Sequence, residues 1–292
     1  MNYQFVKHGQ GTDEWKMWRR FKIGASEIAA LMNASPFYPK TPLQLWENKV
    51  EGKEQIENPA MLRGRDLEPI ALEWVNKELK TQYKPACIES LSHPYLISSL
   101  DGMDQKGPCL TLEIKNMKLE YHNEVKTGKI PENYKWQVQS QMLVSDSDSA
   151  LFCSFQNDHG HILEIKKDAG MWDRILEESA KFNENLMNYD PPALTDRDYQ
   201  IVENEKFLKM LVDYDLLENA HKKAEKHMKA IKDEITFALS KDGIKRAIIG
   251  SKKISNYPVK GRIDYDSISE FKGIDLEKYR KSAISSWRFT SI

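Results

Sequence analysis

Short apolar stretches bounded by turn residues occur in the middle of the chain. Residues 96–116, LISSLDGMDQKGPCLTLEIKN, predict two strands joined by a tight turn rich in Gly and Pro. Two further strands, ALFCSF and HILEIKK, are predicted on either side of the turn at residues 157–160. The centre of the chain is therefore expected to form a sheet.

Helical patterns surround these strands. Ser26 is predicted to cap a helix SEIAALMN, and Thr41 begins a second helix that ends at Gly52. Residues 58–80 predict a longer helix with a break near Gly64 or Pro69, and PENYKWQVQSQMLVS and residues 169–187 predict two more. The order of elements predicts a mixed α/β domain over residues 1–190, in which helices flank a central mixed sheet.

Residues 191–292 are expected to form a C-terminal extension. Apolar residues step by three and four along residues 198–240, which predicts one long helix, packed on the main domain or projecting as a coiled-coil arm. A basic hairpin is predicted to follow. It could bind a phosphate backbone, or it could be a solvated edge hairpin with no ligand. Its candidate residues are Lys245, Arg246, Lys252, Lys253, Lys260 and Arg262.

Composition narrows the class of protein. The chain has 292 residues with 40% hydrophobic and 30% charged residues, which is typical of a globular protein. Its formal net charge is −1, so a nucleic-acid partner requires a local basic patch. We find no apolar run of membrane-spanning length and no signal peptide, and the three cysteines are scattered. A cytoplasmic protein without zinc or iron–sulfur sites is expected.

The central strands carry the candidate chemistry. Alternate residues of a strand share a face, so Glu113 and Lys115 point the same way. If the two strands pair, Asp101 reaches that face as well. Carboxylate oxygens suit a hard cation such as Mg²⁺, and a nearby ammonium can position water or stabilise charge on a phosphate. These residues predict a metal-dependent phosphodiesterase.

Each of these signals has a simpler interpretation. An E-x-K pattern on a strand is usually a solvated charge pattern, and residues 163–166 repeat the same letters, LEIK. Arg19 and Ser26 could bind a phosphate at a helix N-terminus, or they could be a solvated arginine and a simple cap. Glu68 lies beside the apolar stripe of its helix, where a surface salt bridge is the default.

The five motifs together are more specific than any one of them. In order they are a basic segment leading to Ser26, R-G-x-x-x-E, S-x-D-G, L-E-I-K and a helix with W-Q-V-Q. This run, from Trp15 to about Phe155, resembles the YqaJ-like viral recombinase family, which includes phage lambda exonuclease and belongs to the PD-(D/E)XK nuclease superfamily. Leu100 stands where the superfamily has a proline before the aspartate.

The resemblance implies a role for each matching residue. Asp101, Glu113 and the backbone carbonyl of Ile114 would bind Mg²⁺, with Asp101 bridging to a second ion. Lys115 would orient or activate the attacking water. Further implied residues are Glu68 and Gln137, which complete the catalytic site, and Arg19 and Ser26, which bind the 5′-phosphate of a DNA end.

The resemblance also implies an activity and partners. It implies a DNA exonuclease that digests one strand of a linear duplex in the 5′→3′ direction, with Mn²⁺ able to replace Mg²⁺. The 3′ overhang would serve a single-strand annealing protein in phage-type recombination in a bacterial cytoplasm, and the enzyme would be a homotrimer. Two alternatives remain: a structure-specific or restriction-like endonuclease, and a non-catalytic DNA-binding recombination scaffold.

Overall fold

The computed structural model describes residues 2–7, 11–52 and 59–256. The chain divides between Ile201 and Val202 into two compact units. The predicted boundary at residues 190 and 191 stays a prediction, although Arg197 and Asp198 hydrogen-bond to residues of the first unit.

The first unit is built on a mixed sheet, which has seven strands within the described residues. The strand order is β1-β3-β4-β5-β6-β7, and β2 pairs with β4 off this path. Two pairs, β2 with β4 and β5 with β6, are parallel, and the others are antiparallel. The strands are β1 Tyr3–Phe5, β2 Ile23–Gly24, β3 Lys84–Ser90, β4 Leu96–Met103, β5 Thr111–Asn116, β6 Ser149–Gln156 and β7 His159–Lys166.

Helices cover the sheet, and one further helix lies in the second unit. The first unit contains α1 Asp13–Arg20, α2 Ile28–Leu31, α3 Pro42–Glu51, α4 Pro59–Leu79, α5 Leu119–Lys126, α6 Glu132–Ser145 and α7 Ala169–Asn188, with 3₁₀ turns at Ala25–Glu27 and Asp196–Asp198. The described part of the second unit consists of α8 Glu205–Lys241 and a hairpin of β8 Arg246–Ile249 and β9 Lys252–Ser255. The predicted long helix and hairpin are therefore present.

The packing of α4 and α6 decides which way the side chains of β5 point. Leu112 and Ile114 pack with Ala71 and Val75 of α4 in one buried cluster. Side chains alternate along a strand, so Glu113 lies on the opposite face, which α6 covers. The sheet thus presents an apolar face to α4 and places charged side chains under α6.

Two local predictions about helices were wrong. The helix over residues 59–79 has no break, because the helix continues through Pro69 while Ala71 and Val75 keep its second half packed on the sheet. Ser26 is not a helix cap: it lies within the 3₁₀ turn, and Gly24 occupies the capping position. The α-helix after the turn has only four residues, Ile28–Leu31.

Several predictions at the C-terminal end can be compared with the structure and others cannot. Lys245, Arg246, Lys252 and Lys253 lie in or next to the β8–β9 hairpin, as expected. The predicted Lys260 and Arg262 lie outside the described residues. No helix in the described part of the chain is long and apolar enough to cross a membrane.

Candidate active site

Asp101 lies where the pairing between β4 and β5 ends. The two strands pair at Met103 with Thr111 and at Gly102 with Leu112, and one more step would place Asp101 opposite Glu113. There Asp101 Oδ2 instead accepts a hydrogen bond from the backbone N–H of Ile114, at 2.8 Å. The aspartate therefore takes the place of a backbone partner and is fixed beside the second strand.

Glu113 is held by two glutamines from α6. Its side chain is 1% exposed. Gln137 Nε2 donates to Glu113 Oε1 at 2.5 Å, and Gln141 Nε2 donates to Glu113 Oε2. Each carboxylate oxygen thus has its own amide donor, and the carboxylate cannot rotate without breaking both bonds.

Gln141 was not among the predicted site residues. The spacing of four residues between Gln137 and Gln141 indicates a shared helix face, but it does not reveal that this face meets Glu113. Gln141 is fully buried, and its Oε1 atom has no hydrogen-bond partner in the described part of the chain. This orphaned acceptor leaves room for a further donor, such as a water molecule, beside the carboxylate.

Lys115 shares the face of Glu113 and forms an ion pair with it. Its ammonium also lies 5.4 Å from the centre of the Tyr134 ring. Burial opposes the charge on the lysine, but the carboxylates of Glu113 and Asp101 outweigh it and raise the pKa of Lys115. An ammonium has three donors, so the bond to Glu113 leaves donors for other acceptors.

Glu68 of α4 interacts electrostatically with Glu113, Asp101 and Lys115. Burial and the charge of Glu113 raise the pKa of Glu68, partly offset by the ammonium of Lys115. Burial and Glu113 likewise raise the pKa of Asp101 well above its usual value, and Glu68 adds to the effect. The three carboxylates therefore repel one another, and the ammonium of Lys115 offsets this repulsion only in part.

These donors fit a hard divalent cation only in part. Among the described residues, no group of three or more His, Cys, Asp and Glu side chains is arranged to hold a metal ion. Asp101 and Glu113 alone fit Mg²⁺, which is commonly bound by one or two carboxylates together with substrate phosphates and water. The mutual repulsion of the carboxylates is consistent with such an ion, and the carbonyl of Ile114 as a third ligand stays a prediction.

Arg19 and Ser26 lie together at a second point of the domain. Arg19 Nη2 donates to Ser26 Oγ at 3.2 Å, and the Arg19 guanidinium lies 4.6 Å from the centre of the Trp15 ring. The turn that carries Ser26 packs against α6 and β4, the elements that carry Gln137 and Asp101. The structure thus brings this pair onto the same scaffold as the carboxylates.

The second LEIK is placed very differently. Glu164 and Lys166 lie on β7, at the edge of the sheet, and their side chains are 47% and 71% exposed. They pair with each other, and Ser149 and Cys109 contact Glu164. This strand follows β6 in the sheet, and the Glu164 side chain pairs with Lys166 where Glu113 pairs with two glutamines of α6.

The relationship to known proteins agrees with this geometry. Residues 14–148 match the YqaJ-like viral recombinase domain. The match spans a little under half of the chain. It contains every predicted residue of the catalytic and phosphate sites, whereas α7 and the second unit lie beyond the match. Among the curated proteins, none matches the chain.

Solved structures support the fold of the YqaJ-like domain. The chain is similar to an alkaline exonuclease from Laribacter hongkongensis, LHK-Exo, with 26% identity and a TM-score of 0.53. A structure of LHK-Exo in complex with dAMP gives 26% identity and a TM-score of 0.54. Each comparison covers 61% of this chain and 94% of the exonuclease. The central mixed sheet with flanking helices is the PD-(D/E)XK core expected from the motifs.

Proposed function

We propose that the protein is a Mg²⁺-dependent DNA exonuclease that digests one strand of a linear duplex in the 5′→3′ direction and leaves 5′-phosphorylated products. The observation that carries the proposal is the arrangement of Asp101, Glu113 and Lys115 at the point where β4 and β5 separate. The membership of residues 14–148 in the YqaJ-like family and the likeness to an alkaline exonuclease support it.

Each residue of the candidate site would have its own role in hydrolysis. Bound Mg²⁺, held by Asp101 and Glu113, would lower the pKa of an attacking water and stabilise the leaving oxyanion. Lys115 would use its remaining donors to orient that water or a phosphate oxygen. Gln137 and Gln141 keep the Glu113 carboxylate in one orientation, and Glu68 would complete the site. Attack on phosphorus breaks the P–O3′ bond, so the phosphate stays on the 5′ side of the released nucleotide.

The duplicate LEIK supplies a matched control for the test. We would compare wild type, Glu113→Ala and Glu164→Ala on linear duplex DNA with a 5′-phosphate and on closed circular DNA, with Mg²⁺, with Mn²⁺ and with EDTA. Wild type and Glu164→Ala should digest the linear duplex with Mg²⁺. A 5′ label should be released at once as a mononucleotide, whereas a 3′ label should stay on the strand as that strand shortens. Glu113→Ala should lose at least about a hundredfold in rate, since a buried ligand of the ion is removed.

The other outcomes separate the alternatives. Activity that survives Glu113→Ala would contradict the site. Cutting of closed circles would favour the endonuclease, because a circle has no end. A wild-type protein that binds DNA but cuts nothing with any divalent ion would favour the scaffold.

Binding to DNA should be largely independent of sequence. Contacts to phosphates dominate such binding and weaken as salt concentration rises. The hairpin residues Lys245, Arg246, Lys252 and Lys253 are candidates for additional backbone contacts, although their solvated positions equally fit a hairpin with no ligand. A homotrimer and a single-strand annealing partner remain expectations from the family resemblance.

A further inference from the structure

The long helix α8 keeps its apolar side chains exposed. It has 37 residues, all of them described by the structure, and none of its side chains is buried. The exposed fraction is 72% for Leu217, 52% for Met228 and 49% for Ile231. Packing of an apolar face, more than helix propensity, normally stabilises a helix in a protein. Contiguous exposed apolar surface therefore indicates that another element covers α8.

These apolar side chains repeat every 3.5 residues. Five successive heptads begin at Phe207, and their first and fourth positions are apolar except at His221. The ten positions form the seam of α8: Phe207, Met210, Tyr214, Leu217, His221, Ala224, Met228, Ile231, Ile235 and Ala238. A heptad repeat sustained over more than three or four heptads is typical of a coiled coil, so the element that fits the seam is another helix.

The charges that flank the seam select among the ways in which two copies of α8 could pair. In a parallel pair in register, Asp213 would face Glu218 of the second copy. In an antiparallel pair with full overlap, Asp213 would face Glu234 and Glu218 would face Glu225. Neither arrangement places opposite charges together at the flanking positions, so both are disfavoured.

A shift of the antiparallel pair by one heptad reverses this result. With residues 211–241 overlapping, Asp213 faces Lys241 of the second copy and Glu218 faces Lys232. The twofold symmetry repeats each contact, which gives four pairs of opposite charge. One like-charge contact remains, between Glu225 and its own copy. This register is therefore electrostatically complementary to itself.

The opposite shift is less favourable. It places Lys206 beside Glu234, but Asp213 then faces His227, which is charged only when protonated, and Glu218 faces its own copy. The charges along α8 thus favour the shift that overlaps residues 211–241.

The seam also packs well in this register. Each layer of the pair combines a larger side chain with a smaller or more slender one, as interdigitating layers require. The layers are Tyr214 with Ala238, Leu217 with Ile235, His221 with Ile231 and Met228 with Ala224. Leu211 and Leu239, which flank the seam, face each other and extend the apolar contact.

We propose that two copies of this chain associate through α8 as an antiparallel coiled coil in which residues 211–241 overlap. The partner is a second copy because the flanking charges of α8 complement themselves in this register. The inference does not depend on the proposed function, since α8 lies beyond the residues that match the recombinase family.

Cysteine cross-linking of the full chain tests the register directly. In the proposed pair His227 flanks the seam beside its own copy, whereas Lys226 points away from the seam. His227→Cys should give a covalent dimer under mild oxidation, and Lys226→Cys is the matched control. The three native cysteines are buried, so they contribute little background. Ala220→Cys reports the opposite shift, in which Ala220 would lie beside its own copy.

Charge reversal gives a second test in the His227→Cys background. Glu218→Lys and Lys232→Glu should each slow cross-linking by about tenfold, because each turns two attractive contacts into repulsive ones. The double variant should cross-link within about twofold of the unreversed chain. Far-UV circular dichroism would verify that all variants keep their helix content, as expected for substitutions at exposed positions.

Several outcomes would overturn the inference. His227→Cys could fail to cross-link, or Lys226→Cys could cross-link equally fast. Preferential cross-linking of Ala220→Cys would indicate the opposite shift. Glu218→Lys could also accelerate cross-linking, which is the result expected for a parallel pair or for full antiparallel overlap. If no variant cross-links, a partner other than a second copy covers the seam.

Discussion

Glu113 and Glu164 occupy the same position in two copies of the tetrapeptide LEIK, yet they have opposite environments. The Glu113 side chain is 1% exposed and the Glu164 side chain 47%. The first copy lies on a strand between β4 and β6, under α6, and the second lies at the edge of the sheet. A motif of four residues therefore acquires its chemistry from its place in the sheet.

Gln139 and Gln141 of α6 have different roles that can be tested separately. Gln141 donates to Glu113, whereas Gln139 accepts hydrogen bonds from the backbone N–H of Asp168 and from Trp172 Nε1 and donates to the carbonyl of Lys166. Gln139 therefore fastens the start of α7 to the sheet, and Gln141 supports the carboxylate.

We predict that Gln141→Leu lowers the rate of DNA digestion by about tenfold to a hundredfold with little change in melting temperature, since supporting residues around a metal ligand have effects of this size. Gln139→Leu should lower the free energy of unfolding by about 2 kcal/mol, because it leaves buried partners unpaired. Digestion rates and thermal melting of both variants would check this. A loss of stability in Gln141→Leu together with a loss of digestion rate alone in Gln139→Leu would contradict these two roles.

The contact between α4 and β7 depends on a glycine that the sequence places in a turn. Gly160 lies in β7, and a Cβ atom added there would overlap the ring of Trp74 of α4. Trp74 also packs against Phe155, with ring centroids 6.2 Å apart. The glycine is therefore required by close packing and not by the turn at Asn157 and Asp158.

Two Gly→Ala substitutions should have opposite effects on stability. Gly160→Ala should lower the free energy of unfolding by about 1–3 kcal/mol, because the Trp74 ring must move within a packed cluster. Gly64→Ala should raise it by about 0.5–1 kcal/mol, since Gly64 lies inside α4 and an added Cβ meets no atom within 4 Å. Urea unfolding of both variants would measure this. Equal effects would contradict the packing argument.

The segment after α7 contributes to the first unit. Asp198 accepts a hydrogen bond from the hydroxyl of Thr41, the residue that caps α3, and Arg197 Nη2 donates to the carbonyl of Ser35 at 2.5 Å. Thr41 is fully buried. The turn at residues 196–198 therefore stabilises the start of the helix that carries Lys49.

A chain that ends at Asp190 should be less stable than one that ends at Ile201. We expect a difference of about 2–4 kcal/mol in the free energy of unfolding, because the shorter chain loses charged hydrogen bonds at Thr41 and Ser35. Chemical denaturation of the two chains would give this difference. Indistinguishable midpoints would show that these contacts contribute nothing, whether or not either chain digests DNA.

Local patterns were sufficient for much of the fold and of the candidate site. Alternation along a strand placed Glu113 and Lys115 on one face, and the turn between two apolar strands brought Asp101 beside them. These relations span few residues, so the periods of strands and helices determine them. The order of the motifs then indicated the YqaJ-like family, whose domain residues 14–148 match.

Long-range contacts decided the rest. The break predicted in α4 is absent because packing on the sheet outweighs the helix-breaking effect of Pro69. Gln141 donates a hydrogen bond to Glu113, which lies 28 residues away in the sequence. Lys49 donates one to the backbone carbonyl of Arg19, which lies 30 residues away. Sequence periodicity says which face of an element a residue occupies, but the partner of that face depends on how helices and sheet pack. Tertiary packing therefore turned one of two identical tetrapeptides into a buried carboxylate site and placed the ion pair of Lys49 and Glu27 beside Arg19.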